Sequence, residues 1–410
     1  MNDAENLSKL LGHLPPAVFR SFMAAKFSLE MPDLDKKAAK KDQRAGMEAV
    51  LAVLDVSARQ RIEEVAEQII LLSDGPGQDV LDGFSQEIFD DEARAQFEGI
   101  RSQYERALWI YLNEGDLFEE ALNARQADIF RQSPSCYSGY MAPKDLSVLE
   151  DSAARQAFHN AVAGQLGCPV DEVAVQVFKR LRPDTLTGEE VDLYQVSVHH
   201  NRPPEIVDCV QASELVQQEV VRAVTSHITY EPSNGHLEVL SKFTDGREAL
   251  ARIVSDHLLQ SPITGEKIPL KQYDYQSLNA PRTFDLTGET TVASVKVVEL
   301  GYTSTDFRTL VVKIGFKDTD DIHTAARSLI GPGFTFQGRR LTYAKLSIRL
   351  KKVGKDRART ITVILRDENK CNIKTKREKD RVLCDRLLAK WQLVKEIGDV
   401  TNDPIYALAA

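Results

Sequence analysis

Three residues near the C-terminus have the types and spacing of a metal-dependent phosphodiester site. Asp356 precedes Glu368, and Lys370 follows Glu368 after one intervening residue. Carboxylates hold Mg²⁺ through oxygen ligands, and a lysine beside them can steady an attacking water or the scissile phosphate. The three positions are therefore compatible with Mg²⁺-dependent cleavage of a phosphodiester.

The neighbouring residues favour a plainer interpretation of the same segment. The loose acid, acid-x-lysine pattern resembles that of the restriction-endonuclease-like nucleases, and the resemblance covers these three positions only. In that family the acid-x-lysine lies on a core strand after an apolar lead, whereas residues 366–370, RDENK, are continuously polar. Such a stretch between two apolar runs is typical of a hairpin turn. A nuclease is therefore kept as an alternative, and a non-enzymatic protein is the leading hypothesis.

Histidines and cysteines show no spacing that would hold a metal. Five histidines cluster between residues 199 and 257: His199, His200, His227, His236 and His257. No HExxH motif joins them, and no CxxC pair occurs among the five scattered cysteines. His227 alternates with Thr225 and Thr229, which predicts a solvent-facing strand position. We therefore predict no metal, no cofactor and reduced thiols.

A reversal of charge near the C-terminus is the strongest functional signal. Residues 339–381 contain 16 Lys or Arg against 5 Asp or Glu, a net charge of +11 within a chain of net charge −9. Like charge held together works against compactness, so either a partner uses it or it lies on a well-solvated face. No apolar run is long enough to span a membrane and no secretory signal is evident, which predicts a cytoplasmic protein.

Strand alternation predicts that part of this charge shares one face of a sheet. Leu346, Ile348 and Leu350 can be buried together while Ser347, Arg349 and Lys351 point the other way. The same rule separates Cys371, Ile373 and Thr375 from Asn372, Lys374 and Lys376. The predicted binding residues are the cations of these strands and of the loop between residues 351 and 359: Arg349, Lys351, Lys352, Lys355, Arg357, Arg359, Lys374 and Lys376.

Two kinds of partner, or none, would explain a basic sheet face. Phosphates of a nucleic acid would bind it in a salt-dependent manner, with log-log slopes of roughly 4 to 7 in magnitude for five to eight phosphates. An acidic protein surface, from another subunit or another copy, is the second alternative. Simple solvation of an exposed sheet is the third. Tyr343 is the only aromatic residue from 339 to 381, so duplex or backbone contact is favoured over stacking on single-stranded bases.

The elements that would position these residues predict an α+β fold with three modules. Residues 1–132 form an acidic helical bundle, in which one apolar stripe along a single helix is made by Ala93, Phe97, Ile100, Tyr104, Leu108 and Tyr111. Residues 145–260 form a strand-rich α+β module with a hairpin at Asn234-Gly235. Residues 285–398 form the basic module, with strands at 292–300, 309–316, 343–350, 360–366 and 371–375. An antiparallel-rich sheet covered by a C-terminal helix is expected in each of the last two modules.

The C-terminal segments LTYAKLSIRL, ARTITVIL and CNIKTKREKDRVLCDRLLAKWQLV resemble the ends of uncharacterised soluble bacterial proteins of similar length. Such proteins are sometimes accessory parts of DNA-processing or anti-phage assemblies. The resemblance thus implies an accessory subunit, in a complex or a homo-oligomer, and it assigns no role to any single residue.

Overall fold

The computed structural model has an α+β fold, as the sequence predicts, with 45% helix and 28% strand. It describes residues 5–32, 39–88, 90–149, 151–183, 189–211, 213–263, 267–268, 270–303, 308–315, 320–352, 358–367, 369–373 and 376–397. Two compact units divide the chain. The first comprises Met1–Ser138, Ala142–Arg182 and Val191–Ile263, and the second comprises Gly139–Met141, Pro183–Glu190 and Thr264–Ala410. The first unit thus contains both the helical segment and most of the middle module.

Helices make up the start of the first unit. They are α1 (Glu5–His13), α2 (Pro16–Phe27), α3 (Lys40–Ala52), α4 (Val56–Ser73), α5 (Gly75–Phe84), α6 (Asp91–Gly99), α7 (Gln103–Asn113) and α8 (Gly115–Arg131). Their apolar sides form one core that includes Phe19, Phe22, Ile69 and Leu108. The bundle expected from the 3.6-residue periodicity is therefore present.

The apolar stripe from Ala93 to Tyr111 belongs to two helices, so the prediction of one continuous helix is wrong. Asp90 caps α6 by accepting a hydrogen bond from Ala93 N at 2.8 Å. The backbone of Ile100 is extended, and Ser102 then caps α7. Both helices place the stripe toward the same core, so its spacing continues across the break.

Most of the remaining first unit is a five-stranded sheet with two further helices, although Gly139–Met141, Pro183 and Glu190 of that sheet are grouped with the second unit. The strands of this sheet are β1 (Tyr137–Met141), β2 (Val173–Pro183), β3 (Glu190–Asn201), β6 (Ala223–Glu231) and β7 (His236–Leu240), in the order β1-β7-β6-β3-β2. The helices are α9 (Ser152–Leu166) and α10 (Arg247–Val254). Between β3 and β6 the chain forms a separate two-stranded ribbon of β4 (Glu205–Gln211) and β5 (Glu214–Val220), which the sequence analysis missed.

The predicted hairpin at Asn234-Gly235 is confirmed, although its turn is longer than expected. The last paired residues are Glu231 and His236, so four residues make the turn instead of two. Gly235 has φ +76°, and a Cβ there would lie 2.2 Å from the carbonyl oxygen of Ala142. Asn234 keeps an ordinary φ and uses its side chain instead, donating to Glu231 at 2.6 Å and accepting from His236 N at 2.8 Å.

The second unit is built on an antiparallel sheet of order β10-β9-β11-β12-β13. Its strands are β9 (Val292–Thr303), β10 (Thr309–Lys313), β11 (Leu341–Leu350), β12 (Thr360–Arg366) and β13 (Lys370–Cys371). Two helices, α11 (Ile322–Ile330) and α12 (Glu378–Lys390), accompany it, and β8 (Leu270–Tyr273) pairs with β14 (Val394–Ile397). All three strands predicted at 292–300, 343–350 and 360–366 are present. The first two are longer than predicted, and the third has the predicted bounds.

The strand predicted at 371–375 is shorter than expected. After β13, Asn372 bends the chain and its side chain replaces the missing strand pairing, accepting from Ile364 N at 2.8 Å and donating to Thr362 O at 3.1 Å. Ile373 is buried, at 1% exposure, in a turn instead of a strand. Strand alternation therefore does not place Lys376, which follows this bend.

The apolar face of the second sheet is covered by helices. Leu346, Ile348 and Val363 are fully buried and belong to one core with Leu387 and Trp391 of the C-terminal segment. The opposite face of the same strands is the polar one. Within the described residues, no helix is both long and apolar enough to cross a bilayer.

Candidate functional site

Six cations from five adjacent strands share the polar face of the second sheet. Strand pairing places Lys313 opposite Glu299, Lys345 opposite the same glutamate, Lys296 opposite Ser347, and Arg366 opposite both Tyr343 and Lys370. Directly paired residues point to the same side of an antiparallel sheet. We call this surface the cationic face and define it by its cations: Lys296, Lys313, Lys345, Arg349, Arg366 and Lys370.

Glu299 is the single carboxylate that strand pairing places on the cationic face among the described residues, so the face carries a net charge of +5. It is 8% exposed and accepts hydrogen bonds from Lys345 Nζ at 2.8 Å and from the Tyr343 hydroxyl at 2.9 Å. Lys313 Nζ lies 3.3 Å from the same carboxylate. Burial acts to raise the pKa of Glu299, but the bonds from Lys345, Tyr343 and Lys313 outweigh it and lower that pKa.

The remaining cations stand at the edges of this central cluster. Arg349, Arg366 and Lys370 are exposed, and Lys296 is half-buried. The Arg366 guanidinium lies 5.5 Å from the centre of the Tyr343 ring, a cation–π contact. With strands about 4.8 Å apart, five strands span roughly 19 Å, and Lys345 and Arg349 are about 13 Å apart along one strand. A surface of this size and charge can contact several phosphates of one nucleic-acid backbone at once.

The described candidates from the sequence divide into two groups. Arg349 lies on the cationic face, and Lys351 and Lys352 continue beyond its edge as exposed residues. Arg359 instead forms a two-bond ion pair with Asp380 of α12, at 2.9 and 2.6 Å. Lys376 lies near Cys384 of α12, where its charge acts against the burial that raises the pKa of that thiol. Arg359 is therefore paired with α12. The prediction that strand alternation places Lys376 on the sheet face is wrong, because Lys376 lies in a bend after β13 and not in a strand.

Some of the 16 cations between residues 339 and 381 have partners within the second unit. Arg340 lies 3.5 Å from Asp367. Arg381 lies 2.9 Å from Glu378. Arg339 stacks on the rings of Tyr302 and Phe334, at 4.5 and 5.3 Å from their centres. The cationic face thus uses only some of the cations that the count over 339–381 includes.

Several predicted residues lie outside the described part of the chain. They are Lys355, Asp356, Arg357, Glu368 and Lys374. Of the three candidate nuclease residues, only Lys370 is described. Arg366 pairs with Lys370 across a short turn, in which Asn369 has φ +56°. The Asn369 side chain holds the backbone of the β8 strand, accepting from Tyr273 N at 2.8 Å and donating to Lys271 O at 2.7 Å.

Sequence reasoning missed five of the six cations of the cationic face as binding candidates. Lys345 follows the same alternation as Ser347 and Arg349 and could have been included. Arg366 and Lys370 required the β12–β13 pairing, and Lys296 and Lys313 lie before the basic segment begins. A β-bulge, in which Glu299 pairs with Lys345 and Val297 with Leu346, shifts the alternation in β9. That bulge places both Lys296 and Glu299 on one face.

The first unit contains a serine–histidine pair that is closed to solvent. Ser197 Oγ lies 2.9 Å from His227 Nδ1, and His227 Nε2 lies 3.0 Å from the Gln126 side-chain oxygen. Burial lowers the pKa of His227 to about 3, so its ring is neutral and can accept a hydrogen bond from the Ser197 hydroxyl. Both residues are 0% exposed, so we interpret the pair as a buried structural hydrogen bond. The prediction that His227 faces solvent is wrong because α8 covers that face of the sheet.

Among the described residues, no group of three or more His, Cys, Asp or Glu side chains is placed to hold a metal ion. All five cysteines are free thiols. No protein-family model matches the chain, and no curated protein matches it. The cationic face therefore remains the best-defined candidate site.

Proposed function

We propose that the chain binds the phosphate backbone of a nucleic acid through the cationic face, as a non-enzymatic subunit. The observation that carries the proposal is the convergence of six cations and one carboxylate on a sheet whose other face is covered by helices. A rigid sheet fixes the spacing of these cations before a ligand arrives, which limits the ordering cost of binding. Phosphate contacts of this kind give affinity with little sequence preference.

Duplex DNA or RNA fits the face better than a splayed single strand. Tyr343 is held by its bond to Glu299 and by the Arg366 guanidinium, so its ring is not an open platform for a base. Single-strand binders commonly stack successive bases on several aromatic rings. No second aromatic residue is paired onto this face among the described strand positions.

A substitution of Glu299 tests this proposal, because it is expected to strengthen duplex binding instead of weakening it. The substitution Glu299→Gln removes the one carboxylate that the described strand pairs place on the cationic face, and it frees Lys345 and Lys313 for phosphate. We expect the affinity for a 20-base-pair duplex of arbitrary sequence to rise by about three- to tenfold at 50 mM salt, since one more phosphate contact is gained. Fluorescence anisotropy on a labelled duplex measures this change.

The control is Glu119→Gln on α8, which removes an exposed carboxylate from the first unit and leaves the affinity within about twofold. If neither the unmodified chain nor Glu299→Gln binds the duplex at 50 mM salt, the proposal is wrong. If instead an acidic protein co-purifies in a fixed ratio without nucleic-acid absorbance, the face serves a protein partner.

A further inference from the structure

The ribbon of β4 and β5 exposes an unusual combination of side chains. One of its faces carries Ile206, Val210 and Leu215, which are 70%, 71% and 71% exposed. Val210 and Leu215 are directly paired across the two strands. Small two-stranded hairpins are only marginally stable in water, and large apolar side chains on them need a cover.

Acidic residues alternate with these apolar residues on the same face. Asp208 stands between Ile206 and Val210 along β4, and Glu219 is paired with Ile206 on β5. Between residues 205 and 221 the chain has four carboxylates and no Lys, Arg or His. Within the described part of the chain, Glu205 is paired with Arg202 at 3.7 Å, while no cation is seen to neutralise Asp208 or Glu219.

Both outer edges of the ribbon are unpaired among the described strands, since β4 and β5 form a sheet of two. Proteins commonly guard such edges with lysine or proline, and the ribbon contains neither. An open edge offers backbone N–H and C=O groups to an added strand, and the alternate side chains then select its sequence.

We propose that the outer edge of β4 accepts an extended segment of a basic partner protein as a third strand. The row Ile206, Asp208, Val210 selects a partner row of apolar, basic and apolar side chains, because directly opposed residues on one face contact each other. A second copy of the ribbon is disfavoured as the occupant, since it would bring four carboxylates against four. The site lies in the first unit and is independent of the cationic face.

Two short peptides test this pairing on the full chain. The basic peptide is Thr-Ile-Thr-Lys-Thr-Ile-Thr and the acidic one has Glu in place of Lys, both labelled with fluorescein. We expect the unmodified chain to bind the basic peptide at least tenfold more tightly than the acidic one. The variant Asp208→Lys should reverse the preference, and because Asp208 is exposed the variant is expected to fold.

Equal binding of the two peptides, or an unchanged preference in Asp208→Lys, would overturn the proposal. So would a concentration-dependent dimer in analytical ultracentrifugation that Asp208→Lys or Ile206→Ser abolishes, because the occupant would then be a second copy. The variant Glu214→Lys is the matched control: it changes the charge by the same amount as Asp208→Lys, at an exposed position of β5 on the opposite face of the ribbon, and it should leave the preference for the basic peptide in place.

Discussion

The triple substitution Lys296→Gln, Arg349→Gln and Arg366→Gln is expected to weaken duplex binding by about 10²–10³-fold at 50 mM salt. These three cations lie on β9, β11 and β12, so the change removes one charge from each of the three middle strands of the sheet. Each phosphate contact that is lost also lowers the magnitude of the log-log salt slope by about 0.9. We therefore expect a slope of about −4 to −5 for the unmodified chain and about −1 to −2 for the variant.

A matched variant separates site-specific loss from loss of overall charge. Lys9→Gln, Arg101→Gln and Arg252→Gln change the net charge equally, at exposed positions in the first unit. This variant should keep the affinity within about threefold and the salt slope within about half a unit. Equal weakening by the two triple variants would mean that the cationic face is not the binding surface.

The substitution Asp128→Ala is expected to lower the free energy of unfolding by about 3–5 kcal/mol. Asp128 on α8 accepts a bond from Arg131 of the same helix and lies 3.1 Å from Arg180 of β2, which is 1% exposed. Arg131 in turn donates to Glu238 of β7 at 2.6 Å. Removing the Asp128 carboxylate leaves the Arg180 guanidinium buried without this counter-charge, which is the costly half of a buried ion pair.

Urea unfolding followed by circular dichroism measures this loss of stability. The exposed substitution Glu119→Ala on the same helix should cost no more than about 0.5 kcal/mol. The paired replacement Asp128→Leu with Arg180→Met should recover most of the loss, since apolar pairs often replace buried ion pairs without penalty. A loss below about 1 kcal/mol for Asp128→Ala would show that the network does not tie the helix to the sheet.

Periodicity predicted the elements well where each has a single buried side. Thr360–Arg366 alternates cleanly because helices cover one face only, and its bounds were predicted as observed. Val292–Thr303 and Leu341–Leu350 contain register shifts, yet their predicted bounds were close. The same rule failed for His227, since both faces of the first sheet are buried and one buried face is polar. Alternation identifies which residues share a face and does not reveal whether that face meets water.

The candidate site was predictable only in part. Arg349 followed from alternation within one strand, whereas the contribution of Lys313 and Lys296 depends on strand order and on the bulge in β9. Arg359 was misplaced because its partner Asp380 lies on a helix, and no local pattern indicates that contact. Long-range pairing therefore decided which cations converge and which are neutralised.

Lysine acetylation with and without a bound duplex, read by mass spectrometry, tests the central claim most directly. The cationic face predicts that DNA suppresses the acetylation of Lys296, Lys313 and Lys370 severalfold while the exposed Lys9 and Lys26 of the helical region react as before. Unchanged reactivity of the three sheet lysines under saturating duplex, with protection at lysines elsewhere, would contradict the account.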